Sequence, residues 1–194
     1  MSTQTVSNPV LRTVDGAEVP ASGHYGIDAS HSHVGFSVRH VMVSRTKGRF
    51  ADVRGEVVIG EDPLESSVEV EIDAASIDTR DEKRDEHLRS ADFLDAGQHP
   101  VLTYRSSRVV PAGRGRWVVE GELTVRGVTR SVPLQVTFEG GAQDPWGGQR
   151  IGFTAAAELD REDFGLTWNQ ALETGGVLVG KTVRIEIEAE AVRQ

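Results

Sequence analysis

The stretch Gly175–Thr182, GGVLVGKT, fits the pattern G-x-x-x-x-G-K-[ST] in full. That pattern marks the loop whose amides and lysine cradle the phosphates of a nucleoside triphosphate. Such a loop works between a buried parallel strand and the helix it opens, because the helix N-terminus supplies the amides. Here Thr182 runs directly into VRIEIEAEAV, where Val183, Ile185 and Ile187 alternate with Arg184, Glu186 and Glu188. That is the period of a strand. The preceding LTWNQALETGG does not read as a buried strand, and no aspartate ends an apolar strand as a magnesium partner. The glycines therefore read as a turn entering a last strand, with Lys181 a solvated charge, and nucleotide hydrolysis is excluded.

HSHVGFSVRH offers a different chemistry. His31 and His33 stand at i, i+2, so on a strand they share a face and suit two ligands of a zinc or iron site. His40 falls on the opposite face, and His87 comes from a charged segment further on. The same face as His31 and His33 carries Ser37 and Arg39, so it reads first as the wet side of an amphipathic strand. The run Glu158, Asp160, Arg161, Glu162, Asp163 contains paired carboxylates capable of acid–base work, but it reads as a solvated turn. No G-x-S-x-G elbow occurs, and no catalytic constellation emerges.

The elements that would have to position these groups are strands. Val34, Phe36 and Val38 alternate with Gly35, Ser37 and Arg39, and Val68, Val70 and Ile72 with Glu69, Glu71 and Asp73. The same period recurs through Trp117–Val125, Val132–Phe138, Ile151–Ala157 and Val183–Ala189. With Arg49–Ile59 and Val101–Val110 this makes about eight strands, each with one apolar and one polar face. EDPLES, PAGRGR, RGVTR and GGAQDPWGGQ separate them as turns, and connections this short favour antiparallel neighbours. The exception, SIDTRDEKRDEHLRSADFLDAGQHP, predicts one short charged helix over about 80–90, capped by Asp78 or Thr79. Leu88, Phe93 and Leu94 tuck it onto the sheet, and a second short turn is expected around Leu166–Leu172. Eight antiparallel strands close into a barrel with room inside for side chains or one small ligand. The fold class is all-β.

Composition narrows the partners. The chain carries 21 basic against 30 acidic residues, and a net charge of −9 does not suit nucleic acid or an anionic membrane surface. Without cysteine there is no disulfide, thiolate metal site or cysteine nucleophile. The N-terminal MSTQTVSNPVLRTVDGAEVPASGHY lacks an apolar signal region, and no apolar run is long enough to span a bilayer. The expected organisation is a flexible N-terminal arm, 1–23, and one barrel domain, 24–194. A cytoplasmic location is expected, with no stable membrane insertion.

Four stretches in register resemble the YceI-like family of lipocalin-like polyisoprenoid-binding proteins. They are YGIDASHSHVGFSVRHVMVSRTKGRF, SIDTRDEKRDEHLRSADFLDAGQHP, GELTVRGVTRSVPLQV and LDREDFGLTW, and the wording is nearest to cytoplasmic actinobacterial members. The resemblance implies an eight-stranded antiparallel lipocalin-like barrel with one or two short helices near the opening. It also implies a long isoprenoid or quinone-type lipid bound inside, no metal or other cofactor, and a homodimer, as members are often dimeric. For the tunnel wall the apolar faces supply Phe36, Val38, Val70, Ile72, Leu123, Val125, Val136, Phe138 and Phe153. His31, His40 and His87 are the expected headgroup contacts. Two other readings stand beside the lipid carrier: a small-substrate enzyme using a histidine or metal site in the barrel, and a module whose barrel is packed solid.

Overall fold

The structure is a computed structural model, and it describes residues 10–194 except Met42 and Thr174. Residues 1–9 of the expected arm lie outside the described residues. From Val10 the arm is packed: β1 (Leu11–Val14) and β2 (Ala17–Pro20) pair as a hairpin, and Val10 and Val19 are buried.

The barrel strands follow in chain order. They begin with β3 (Gly23–Ile27), β4 (His33–His40), β5 (Ser44–Phe50), β6 (Val53–Ile59), β7 (Ser67–Asp73) and β8 (Ile77–Asp78). After helix α1 (Glu82–Arg89) come β9 (Val101–Pro111), β10 (Arg116–Val125), β11 (Val128–Ser131), β12 (Leu134–Gln143), β13 (Gln149–Asp160) and β14 (Val179–Arg193). Pairing runs β13-β12-β10-β9-β7-β6-β3-β14, and β14 returns to β13 to close an antiparallel ring of eight. Beyond that ring β4 continues the line of β3 along β14, as β5 continues β6. The expected eight strands are therefore present, several of them bent and interrupted, and closure removes the sheet edges.

Local chemistry explains the joints. Arg126 and Gly127 both have positive φ, 50° and 73°, and join β10 to β11 through the two-residue turn that suits right-handed strand twist. At Gly121, where the β9–β10 register shifts, a Cβ would stand 2.5 Å from the Tyr104 hydroxyl. Only glycine lets that ring lie flat on the strand. The helix starts later than the sequence suggests, because Arg80 takes φ 62° and helical hydrogen bonding cannot pass through it. Asp81 is the cap, accepting from the Arg84 amide. Asp78 instead accepts from the Arg80 amide, and the buried Asp85 carboxylate takes both the amide and the hydroxyl of Thr79. Arg84 also binds Thr79, through Nε and Nη2. The second turn is a short 3-10 helix at Arg161–Phe164 rather than around Leu166–Leu172; Gly165, at φ 77°, ends it.

Side chains alternate along every strand, and the inward ones form the core. Its main cluster includes Ile72, Leu102, Tyr104, Val119, Leu123, Val125 and Phe164. A second cluster, Val10, Tyr25, Ile59, Ile151 and Ala191, fills the hairpin end of the barrel. The opposite end carries α1, Phe93 and the Arg161–Phe164 turn.

Candidate functional site

The barrel is not packed solid. A cavity of about 350 Å³ runs along its axis, from Val19 and Ile59 near the hairpin to Phe93, Phe164 and Leu166 near α1. Its wall is built by the inward positions of every ring strand. On β4 and β14 these are Val34, Phe36 and Val38 beside Val183, Ile185 and Ile187. Several of them are only partly buried although they point inward, because they border empty space rather than other side chains. The volume falls at the lower end of small-molecule pockets, and an apolar wall with few polar groups is their usual composition.

Of the wall residues expected from the sequence, Phe36, Val38, Val70, Ile72, Leu123, Val125, Val136 and Phe153 border the cavity. Phe138 is not on the wall. It packs on the hairpin-end cluster, its ring 5.4 Å from that of Phe153. Sequence reasoning passed over Phe50, Tyr104, Trp117, Ala155, Ile185 and Ile187, all on the wall. The alternation of Ile185 and Ile187 carried the signal for two of them.

Three polar side chains on the wall, Tyr104, Ser32 and Ser66, are hydrogen-bonded to the backbone. The Tyr104 hydroxyl donates toward Val119 O at 3.0 Å and Val132 O at 3.1 Å. Burial pushes this phenol up to about 12, since the phenolate would be poorly solvated. Ser32 donates to Glu190 O and accepts from Glu190 N, and the Ser66 hydroxyl accepts from Gly60 N.

Arg161 is different. It is the one charged residue on the wall and is only 4% exposed. Its Nε donates to Gly180 O at 2.9 Å, and Nη1 to Trp168 O at 3.0 Å and to Leu166 O. Nη2 is buried and has no partner. A buried donor left unpaired costs about 1–3 kcal/mol, more when charged. Burial lowers the pKa of Arg161, with Glu162 and Asp160 acting in the opposite direction. Asp160 is engaged as the cap of the Arg161–Phe164 turn, and Glu162 pairs with Lys181 at 2.6 Å. Among the described residues no carboxylate forms an ion pair with Arg161.

The histidines do not converge. His31 lies not on a strand but in a one-turn 3-10 helix before it, so His31 and His33 do not share a strand face. His40 ends β4, opposite Val179, and the strand between them sets His31 and His40 roughly 25 Å apart. His87 stacks edge-on against Phe93 and Trp168, centroids 5.1 and 4.6 Å away, and bonds Asp92 at 2.8 Å. None of the three borders the cavity. Asp28, His31 and Glu190 do bring ligand atoms together, yet Arg150 occupies their midst. Its Nη1 lies 2.8 Å from Asp28 and 2.5 Å from Glu190, and its Nε 2.9 Å from Asp144. The Ser30 hydroxyl, Arg150 and His31 hold the Asp28 carboxyl well below the usual range. The phosphate-loop pattern is likewise a turn: Gly175 and Gly176 have φ 83° and 95°, and the chain enters β14 at Val179.

Residues 25–191 match the YceI-like domain. A UPF0312 protein of Vibrio cholerae is 42% identical over 147 residues, which cover 73% of this chain and 77% of that protein. Among solved structures, Burkholderia cenocepacia BcnA superposes with a TM-score of 0.75 at 24% identity, covering 84% of this chain and 98% of BcnA. A polyisoprenoid binding domain from Saccharophagus degradans, implicated in plant cell wall breakdown, gives 0.64 at 14% identity, covering 90% and 100%. These two likenesses are of fold. Relatives come from Vibrio and Staphylococcus, so the actinobacterial affinity suggested by the wording is not borne out.

Proposed function

The chain belongs to the YceI-like family, and from that premise we propose that its barrel binds and sequesters or carries a long-chain isoprenoid or quinone-type lipid. The observation that carries the reading is the axial cavity, walled by apolar side chains from all eight ring strands with one buried cation at the helix end. The fold shared with a polyisoprenoid binding domain supports it. The cavity of about 350 Å³ takes up an apolar chain group by group, each buried methylene replacing contact with water by contact with the wall. Each contributes ~0.8 kcal/mol of gross attraction. Association itself costs on the order of 4–15 kcal/mol. Short chains therefore bind weakly, and affinity rises with length until the cavity is filled.

A cytoplasmic setting and a homodimeric carrier are part of the proposal, to be read by cell fractionation and native mass spectrometry. The central test is organic extraction of freshly purified protein followed by mass spectrometry. A prenyl-chain lipid near one per barrel supports the carrier. A folded protein that yields no lipid, and takes up no chain from a prenyl alcohol series, refutes it.

A further inference from the structure

The cavity wall is not built by the barrel ring alone. Val19 and Pro20 of the β1–β2 hairpin border it, although the match to the YceI-like domain begins only at residue 25. The hairpin is specified locally. Asp15 and Gly16, at φ 50° and 75°, make the two-residue turn that suits strand twist, and Leu11–Val14 pairs in register with Ala17–Pro20. A lone two-stranded hairpin is marginal in water, so its place depends on the barrel.

Arg12 joins the two. Its Nε donates to Pro20 O at 3.0 Å, Nη1 to Glu61 O at 2.6 Å and Nη2 to Gly60 O at 2.5 Å. The Ala21 amide donates to Val10 O at 2.8 Å, and the Tyr25 hydroxyl to Ala21 O at 2.9 Å. Against β12 the fit needs glycine, since a Cβ on Gly141 would stand 2.8 Å from Val10 Cγ1. The end of the barrel under the hairpin is packed accordingly: Val10 and Tyr25 are 0% exposed, and Ile151 and Ala191 1%.

The hairpin's part of the wall suits carbon and little else. Pro20 has no amide hydrogen to offer, its carbonyl already accepts from Arg12, and Val19 is aliphatic. A polar group brought to rest there would lose its water without replacement hydrogen bonds, at a cost that an apolar tail does not bear.

We propose that the β1–β2 hairpin is the floor of the binding cavity, and that Val19 and Pro20 stop the apolar tail of the ligand and so set the chain length the barrel accepts. The polar end then points away from the hairpin, toward α1. This deepens the lipid-carrier reading above and rests on it.

The first test leaves the chain unaltered. A prenyl alcohol carrying a diazirine at its tail end is bound to delipidated protein and irradiated, and the adduct is mapped by peptide mass spectrometry. The inference expects the label on Val19, Pro20 or Ile59, which all border the hairpin end of the cavity. Saturable binding with the label confined to Phe93 or Leu166, at the opposite end, overturns it. The second test titrates geraniol, farnesol, geranylgeraniol and geranylfarnesol into wild type and a Val19→Phe variant. In wild type the dissociation constant falls with each added isoprene unit and then levels off. A ring raised from the floor takes the room of an isoprene unit, so in the variant the levelling comes a unit earlier while the shorter alcohols bind as before. The same length profile in both folded proteins overturns the floor but leaves the carrier standing. No saturable binding of any alcohol by wild type overturns both.

Discussion

Ala155 offers the sharpest test of where a chain would lie. It points into the cavity from β13, between Val136 of β12 and Ile187 of β14, both of them wall residues. Its neighbour Ala156 faces outward between Gln135 and Glu186 and is exposed. Replacing Ala155 by Phe puts a ring into empty space, so the overpacking that such a change causes in a filled core does not arise. The ring takes roughly the room of one five-carbon isoprene unit, and displacing it forfeits about 4 kcal/mol at ~0.8 kcal/mol per methylene. At 1.4 kcal/mol per decade the dissociation constant of a prenyl alcohol that fills the cavity should rise roughly a thousandfold. Ala156→Phe adds the same surface to the outer face and should leave it unchanged. Displacement of an apolar fluorescent dye gives both constants, with far-ultraviolet dichroism and a thermal melt confirming that each variant is folded. Equal binding by wild type and a folded Ala155→Phe variant would mean that the chain does not occupy this stretch of the barrel. A loss shared by both variants would point to an effect on the strand rather than on the cavity.

The remaining predictions concern the polar framework. Tyr104→Phe strips Val119 O and Val132 O of their donor and should lower unfolding stability by about 1–2 kcal/mol; an unchanged urea midpoint would contradict this. With the Tyr104 pKa near 12 and Tyr25 also raised by burial, the two tyrosines of the chain should show little tyrosinate absorbance at pH 10–11 while it stays folded. Their contribution to stability is whole below the ordinary phenol pKa near 10 and fades as pH climbs toward 12. Around Arg150 the sign reverses. The pKa values of Asp28 and Asp144 are lowered in the fold, so their stabilisation is present above the unfolded value near 4 and is lost as pH falls below it. The urea midpoint of Arg150→Met should therefore lie further below wild type at pH 7 than at pH 2.5; a constant gap would refute the assignment. Finally, Lys181 is paired with Glu162 on a strand, so calorimetry with MgATP should show no saturable binding, and a micromolar site would overturn the turn reading of Gly175–Thr182.

How far the chain itself discloses this protein can be traced through three kinds of residue. Strand identity and the inward face were open to reading, since side-chain alternation is a property of neighbouring positions: Phe36, Val70, Leu123 and Phe153 announce their side of the sheet with no knowledge of the partner strand. The turn at Arg126–Gly127 was equally local. Closure was not, because β14 must pair with β13 on one edge and with β3 and β4 on the other, which depends on the bend and twist accumulated around the whole ring. The histidines show the limit of periodicity, for a single 3-10 turn at Ala29–His31 breaks the count and removes His31 from the strand. Arg161 shows it best. In sequence it belongs to a charged run that reads as solvated. In the fold the chain doubles back to bring the carbonyls of Leu166, Trp168 and Gly180 around its guanidinium. Patterning determined which residues face the barrel axis. Only tertiary structure decided that the axis is hollow and that Arg161 is buried among backbone carbonyls beside it, because empty space and burial depend on atoms distant in the chain.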